Sequence, residues 1–184
     1  MSKFAVTYRG TVYPWQCDHM GHMNVMWYTG KFDEASWHIL AALGLTRARL
    51  RRESAGMAAV EQQVEYKREL RAGDIVTVRS TVLEAKDKTI RLRHEMRNDE
   101  TGELAAATVV VGVYIDATVR KARHLPFDVR ERAELMISCR DLEQTSFETS
   151  LELKRGSPET SKPAAEAESD SPVHPIEMAL GSCW

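Results

Sequence analysis

Hydrophobic and polar positions near the amino terminus first alternate as in a strand and then repeat as in a helix. Between Phe4 and Trp15, apolar side chains are interspersed with polar ones, which predicts a β-strand with an irregularity near Gly10. After Asn24 the apolar spacing becomes three and four residues, which predicts a helix that stops at Gly44. The apolar positions of this helix are Tyr28, Phe32, Ala35, Ile39 and Leu43.

The middle of the chain returns to a strand pattern. A basic segment from Thr46 to Ser54 predicts a short helical or irregular connection, and several strands follow. The last of them, Leu104 to Ile115, is nearly all apolar or small, which is typical of a central strand buried on both faces. A loop from Asn98 to Glu103 precedes it and predicts a hairpin. The strands before that loop carry Val60, Gln62, Val64, Tyr66 and Arg68, then Ile75, Val76, Val78, Val82 and Leu83, then Ile90, Leu92, His94 and Met96.

One long helix and a run of antiparallel strands predict an α+β domain in which the sheet wraps around the helix. Asp128 to Arg140 predicts a further helix. From Gln144 onward the chain is rich in Ser, Thr, Glu and Pro, a composition that does not offset the entropy of ordering. We therefore predict one domain over residues 1–143 and a disordered tail over residues 144–184.

Composition and charge narrow the class of protein. The 184 residues are 43% hydrophobic, which is enough for one substantial core. A net charge of −2 provides no basic excess for neutralising phosphates, so nucleic acid is not an expected partner. No apolar run approaches the ~18 residues of a membrane-spanning helix. No signal-peptide core follows Met1 and the cysteines lack metal or redox spacing, so we expect a cytoplasmic protein without membrane attachment.

The junction between the first strand and the long helix concentrates the candidate chemistry. From Asp18 to Asn24 the sequence reads DHMGHMN, with a carboxylate, two imidazoles and an amide around Gly21. Asn24 is predicted to cap the helix, so the backbone N–H groups of Val25 and Met26 form the positive end of its dipole. A carboxylate beside such a donor pair is half of an acyl-transfer site.

These residues resemble a known family. The pattern Asp-x-x-Gly-His-Met-Asn, followed by a helix that continues Trp-Tyr-x-x-x-Phe-Asp-x-Ala, resembles the hotdog-fold acyl-CoA thioesterases of the 4-hydroxybenzoyl-CoA thioesterase type. The resemblance implies a hotdog fold, an antiparallel sheet wrapped around one long central helix. It also implies an acyl-CoA substrate, no cofactor, and a homodimer or homotetramer in which each site is built from two chains. It does not indicate which residues bind CoA.

The resemblance implies that Asp18 is the catalytic carboxylate and that the N–H groups of Val25 and Met26 form the oxyanion hole. His22 and Asn24 are expected to support Asp18 on the same turn. Because a thioester carbonyl is electrophilic and a thiolate leaves readily, one carboxylate is sufficient, either as general base or as nucleophile.

Other interpretations of the turn remain open. Asp18 can simply close a turn, as aspartate often does. His19 and His22 are three residues apart and could hold a metal together with Asp18, but no further ligand pair at a recognised spacing follows, and no metal is expected. The arginines of 47–52 form either a solvated face or partners for a CoA phosphate. The tryptophans of the turn and helix (Trp15, Trp27 and Trp37) suit core or interface packing as well as substrate contact.

Three other classes of protein compete with a thioesterase. A structural or scaffolding protein would explain the tail rich in Ser, Thr and Pro, but it would not explain the turn. Hotdog-fold enoyl-CoA hydratases place an acid and a histidine near the same helix, but their usual Gly-Asp-x-Asn-Pro-x-His pattern is missing here. A non-catalytic acyl-CoA-binding module would keep the pocket without needing the carboxylate of Asp18.

Overall fold

The computed structural model describes residues 4–138, which form an antiparallel sheet curled around one long helix. The strands are β1 (Ala5–Thr11), β2 (Ala55–Tyr66), β3 (Ile75–Ala85), β4 (Thr89–Asn98), β5 (Leu104–Asp116) and β6 (Lys121–Ala122). The helices are α1 (Val25–Ala42), α2 (Arg47–Arg52) and α3, which occupies 127–138. The sheet order is β1-β3-β4-β5-β2, with β6 added to β5. The predicted α+β hotdog fold is confirmed.

Helix α1 is packed against the sheet along its whole length. Its apolar positions at three- and four-residue spacing are buried, as the sequence predicted, and they join two clusters of core residues. The cluster at the amino end of α1 includes Val12, Met23, Tyr28, Phe32, Leu70, Val76 and Met96. The cluster at its carboxyl end includes Ile39, Leu43, Leu50, Tyr114 and Val129. This packing fixes the start of α1 relative to the sheet.

Both predicted ends of α1 are confirmed. The side chain of Asn24 accepts a hydrogen bond of 3.0 Å from the N–H of Met26, which is the geometry of an N-cap. Gly44 follows the last turn with a φ of +96°, a left-handed conformation that glycine adopts without strain.

Strand β1 differs from its prediction in two ways. It ends at Thr11, and Trp15 lies in a 3₁₀ turn over Pro14–Gln16. Proline fixes φ for the first position of such a turn and has no N–H to continue a ladder, so the strand stops before it.

The irregularity of β1 lies at Thr7 and not near Gly10, where the sequence predicted it. The register against β3 shifts between Val6 and Tyr8. An extra residue in one strand redirects its side chain. Thr7 is buried, and its hydroxyl lies 3.3 Å from the carbonyl oxygen of Val78.

Strand β2 lies at the edge of the sheet and, within residues 4–138, pairs only with β5. It is 12 residues long and has a register shift between Ala59 and Glu61, which leaves Val60 62% exposed. A long edge with unpaired backbone groups is a surface on which another strand can pair.

The remaining predictions concern the connections and the carboxyl terminus. Helix α2 confirms the predicted short helix, with Thr46 as its N-cap, and β5 is central, with a buried first half. Helix α3 agrees with the predicted helix from Asp128 as far as the described residues extend. The tail of 144–184 lies outside the described residues and stays a prediction. No helix within residues 4–138 combines the length and the apolar character needed to cross a membrane.

Candidate active site

The segment before α1 folds into a tight hairpin around Asp18. The N–H of Asp18 donates to the carbonyl oxygen of His22 at 2.9 Å, and the N–H of Gly21 donates to that of Asp18 at 3.0 Å. Gly21 has a φ of +78°, as three-residue hairpin loops require at their last position. One carboxylate oxygen of Asp18, Oδ1, accepts from the N–H of Met20 at 2.9 Å. The other has no protein partner within residues 4–138.

Backbone hydrogen bonds hold this hairpin against the connection between β2 and β3. The N–H of Met23 donates to the carbonyl oxygen of Leu70 at 2.7 Å, and that of Asn24 donates to Gln16 at 2.8 Å. A β-bridge also joins Met23 to Cys17, which is half-buried. The position of Asp18 is therefore set by the main chain.

The start of α1 presents one open backbone donor. The N–H of Met26 is bound by the Asn24 cap, whereas the N–H of Val25 meets no protein acceptor among the described residues. The side chains of Val25 and Met26 are 56% and 62% exposed, so this end of the helix faces solvent. Of the two predicted oxyanion donors, Val25 is free and Met26 is held by the cap.

His22 is paired with a residue that the sequence did not indicate. Its Nε2 lies 2.9 Å from Oε2 of Glu69, and its side chain is 23% exposed against 63% for Glu69. Glu69 comes from the connection between two strands, and no sequence spacing links it to the turn. The structure thus brings Asp18, His22 and Asn24 together on one hairpin, with the imidazole of His22 turned to Glu69.

A cleft of about 270 Å³ lies beside the hairpin. It is lined by His22, Met23, Val25, Tyr28, Tyr66, Lys67, Arg68 and Glu69. Burial raises the pKa of Tyr28 to about 12, so its hydroxyl is neutral, and it donates to the carbonyl oxygen of Arg68 at 3.4 Å. Lys67 and Arg68 bring positive charge to the rim, where each is paired with a glutamate.

A second cavity, of about 230 Å³, lies between α1 and the sheet. Its sheet side is mainly apolar, with Met57, Ile90, Leu92 and Val110, and its polar side chains include Asp33, Ser36 and Gln62. On α1 the lining residues Thr29, Asp33, Ser36 and Leu40 continue the face that begins at Val25, because residues three and four apart share one side of a helix. The cavity therefore begins about one turn beyond the open N–H of Val25.

A third cavity, of about 810 Å³, lies at the other end of α1, among Trp37, Leu45, Arg47, Leu50 and Arg51. It is remote from the hairpin, because the 18 residues of α1 span about 27 Å. The neighbouring Arg49 binds Asp128 through two hydrogen bonds of 2.7 and 2.9 Å and Glu53 through one of 2.8 Å. This arginine therefore joins α2 to α3. Size alone does not make this cavity the reactive one.

The three tryptophans of the turn and α1 differ in exposure. Trp15 is 68% exposed and lies on Tyr13, with ring centroids 4.4 Å apart, and Trp37 is 48% exposed. Trp27 is half-buried against the core. The described residues contain no group of three or more side chains suited to holding a metal ion.

Comparison with known proteins identifies the family. Residues 12–133 match the model of the thioesterase-like superfamily. A hypothetical protein from Staphylococcus aureus, solved in complex with CoA, is 19% identical over 87% of this chain and 90% of that chain, with a TM-score of 0.65. A DHNA-CoA thioesterase from Staphylococcus aureus is 20% identical over 77% and 95%, with a TM-score of 0.67. A gentisyl-coenzyme A thioesterase is 26% identical over 68% and 98%, with a TM-score of 0.62. No curated protein sequence matches this chain.

Proposed function

The chain belongs to the thioesterase-like superfamily, and from this premise we propose that it hydrolyses an acyl-CoA to a carboxylic acid and CoA. The observation that carries the proposal is the position of the Asp18 carboxylate and the open Val25 N–H at the same end of α1. The structure with bound CoA and the two named CoA thioesterases support the same class of substrate.

The reaction needs few groups. As general base, Asp18 takes a proton from a water molecule while the water oxygen attacks the thioester carbonyl carbon. As nucleophile, it attacks that carbon itself and forms a mixed anhydride that water then cleaves. In either case the C–S bond breaks and CoA leaves as a thiolate that takes up a proton. The N–H of Val25 donates to the carbonyl oxygen as negative charge develops there, and such a donor typically lowers the barrier by about 3 kcal/mol.

Asn24 and His22 support Asp18 without acting as the base themselves. Asn24 caps α1 and so fixes the direction in which the Val25 N–H points. His22, held by Glu69, forms one wall of the cleft through which water and the thioester approach. From this position the imidazole of His22 orients a reactant by hydrogen bonding.

The two cavities beside α1 suit the two parts of the substrate. The thioester lies in the cleft next to Val25, and the acyl chain enters the mainly apolar cavity that follows on the same helix face. The CoA part extends outward over the rim, where Lys67 and Arg68 offer positive charge toward its phosphates.

A homodimer or homotetramer completes the proposal. The outer edge of β2 is long and has no strand partner within residues 4–138, which supports pairing with β2 of a second copy. Exposed apolar side chains offer further area to be covered, with Met20 in the hairpin loop and Val25 and Met26 at the start of α1.

A panel of acyl-CoAs with a thiol-reactive chromophore tests the function on the full-length protein. Release of one thiol per carboxylic acid formed is the expected result. A change in enoyl absorbance without thiol release would identify a hydratase. Stoichiometric acyl-CoA binding with neither change would identify a binding module, and either of these results would overturn the proposal.

A further inference from the structure

A chain of hydrogen-bonded polar groups runs from the wall of the α1–sheet cavity into the core. Oγ of Ser36 lies 3.0 Å from Nε2 of His94, Nδ1 of His94 lies 2.5 Å from Oγ of Ser80, and Oγ of Ser80 lies 2.5 Å from Oγ1 of Thr7. These residues come from α1, β4, β3 and β1 in turn. His94 and Ser80 are fully buried and Thr7 is 7% exposed, so only the Ser36 end reaches a cavity.

Packing alone does not require these residues. His94 replaces an apolar side chain in the inward row of Ile90, Leu92 and Met96, although burying a polar ring has a free-energy cost that an apolar residue would avoid. Desolvation lowers the pKa of His94 to about 4, so the ring is neutral at physiological pH. A neutral imidazole has one N–H donor and one acceptor nitrogen.

Counting protons gives two consistent arrangements of donors and acceptors along these hydrogen bonds. If Nε2 of His94 carries the proton, it donates to Ser36, and Nδ1 accepts from Ser80. The hydroxyl of Ser36 is then free to donate, and it donates to the carbonyl oxygen of Phe32 at 2.9 Å. If Nδ1 carries the proton, it donates to Ser80, whose hydroxyl donates to Thr7, and Nε2 accepts from Ser36. The oxygen of Ser36 then has a lone pair available to an incoming donor.

We propose that Ser36 is a specificity-determining contact of the acyl cavity, which hydrogen-bonds an oxygen substituent on the acyl chain. A carbonyl oxygen of the acyl chain accepts from Ser36 in the first arrangement, and a hydroxyl group donates to Ser36 in the second. The buried imidazole of His94 allows both because it exchanges one tautomer for the other without taking up a charge. This inference rests on the proposed thioesterase function.

The position of Ser36 on α1 determines where the substituent lies. Ser36 is eleven residues beyond Val25, or about 16 Å along the helix axis. An acyl chain whose carbonyl is held at Val25 therefore brings its distal end to Ser36, so the preferred substrate is a fatty acyl chain oxygenated near that end. Ser36 is not placed as a nucleophile, because the neighbouring backbone N–H groups are bonded within α1 and supply no oxyanion hole.

The test compares dodecanoyl-CoA, 12-hydroxydodecanoyl-CoA, 12-oxododecanoyl-CoA and 3-hydroxydodecanoyl-CoA as substrates of the wild type and of Ser36→Ala. We expect the wild type to favour both 12-oxygenated substrates. Ser36→Ala should lower kcat/KM for these two about tenfold, mainly through KM, as loss of one hydrogen bond to a ligand typically does. Its effect on kcat/KM for the other two should be clearly smaller, because neither of them brings an oxygen atom to Ser36. Ser36→Thr keeps the hydroxyl and should restore the preference.

Two results would overturn the inference. Equal effects of Ser36→Ala on all four substrates would make Ser36 a structural residue. Equal calorimetric affinities of Asp18→Asn, in which turnover is expected to be slow, for dodecanoyl-CoA and 12-hydroxydodecanoyl-CoA would exclude the contact without relying on turnover. Absence of hydrolysis of every acyl-CoA would instead refute the proposed function, so the two failures are distinguishable.

Discussion

Ser36 on α1 and His94 on β4 are joined by a hydrogen bond of 3.0 Å between Oγ and Nε2, which holds a neutral imidazole in the interior of the protein. His94 is fully buried and its pKa is lowered to about 4 by desolvation, below its ordinary 6.5. Because the unfolded chain binds this proton at higher pH than the folded chain, His94 makes stability decrease as the pH falls from about 6.5 toward 4.

A pH series of denaturant titrations measures this effect. Between pH 7 and pH 4.5 the contribution of His94 to the loss of unfolding free energy should be about 2 to 3 kcal/mol. His94→Gln does not titrate in this range, so its stability should fall by that much less over the same interval. Parallel pH dependences for the two proteins would show that His94 is protonated without penalty and that the ring is accessible to water.

Asp18→Asn should remove most of the acyl-CoA hydrolysis while leaving the fold intact. Asparagine keeps the oxygen that accepts from the N–H of Met20, but it neither takes a proton from water nor forms an anhydride. We expect kcat to fall by about 10² to 10⁴, the range that a general base supplies. Steady-state kinetics on the best substrate of the panel gives the value.

Two carboxylates on α1 provide controls for the Asp18→Asn variant. Glu34→Gln changes an exposed carboxylate outside the cleft and the cavity and should leave kcat unchanged. Asp33→Asn changes a carboxylate in the wall of the cavity and should alter KM more than kcat. If Asp33→Asn abolished turnover and Asp18→Asn did not, the catalytic carboxylate would be Asp33.

Asn24→Ala should lower both the stability and the activity of the protein. Its effect on kcat should be smaller than that of Asp18→Asn. Loss of the cap costs about 1 kcal/mol and frees the N–H of Met26 from its bond to position 24. Asn24→Asp retains a capping oxygen and should restore the melting temperature. His22→Ala should likewise reduce kcat less than Asp18→Asn. The opposite order for His22 and Asp18 would make the imidazole the base.

Arg49→Met should destabilise the contact between α2 and α3. It removes the paired hydrogen bonds to Asp128 and the bond to Glu53, and those carboxylates lose the partner that lowers the pKa of each. Because Asp128 is 43% exposed and water screens the pair, we expect a loss of about 1 to 2 kcal/mol in unfolding free energy. Arg47→Met, on the same helix and without an ion pair among the described residues, should have a much smaller effect in the same denaturation assay.

Val60→Lys should weaken assembly if copies pair along β2. A charged lysine on an exposed edge opposes strand addition. We expect sedimentation velocity to show a shift toward monomer and a fall in specific activity at low protein concentration. Val119→Lys changes a valine of similar exposure, 61% against 62%, in the turn after β5 and should not alter the sedimentation. An unchanged oligomer for Val60→Lys would place the interface elsewhere.

The elements that the sequence predicted well are those governed by local rules. The Asn24 cap, the Gly44 stop and the spacing of the buried face of α1 each depend on neighbouring residues, and the structure has them where they were predicted. The irregularity in β1 was misplaced because glycine is only one route to a bulge. Here the bulge lies at Thr7, whose hydroxyl is bonded inside the core.

Contacts between distant segments could be predicted only with knowledge of the strand register. His94 occupies an apolar row in the sequence, and Ser80 does the same between Val78 and Val82, so both were visible as polar residues on inward faces. Their pairing depends on a register shift between Val82 and Glu84, which no local pattern announces. Glu69 was missed for the same reason, because its contact with the turn depends on where the β2–β3 connection folds back.

In the proposed mode of binding, the acyl chain lies along the residues of α1 from Val25 to Leu40. The distance along the helix axis is counted from the open N–H of Val25, and each helical turn adds about 5.4 Å to it. Combining Ser36→Ala with Leu40→Ser would move the hydroxyl group about one helical turn further from Val25. The preferred acyl chain would then be longer, whereas the residues at the reactive end would stay the same. Chain-length selection and chemistry are thus separable along a single helix, and substitutions can adjust one while preserving the other.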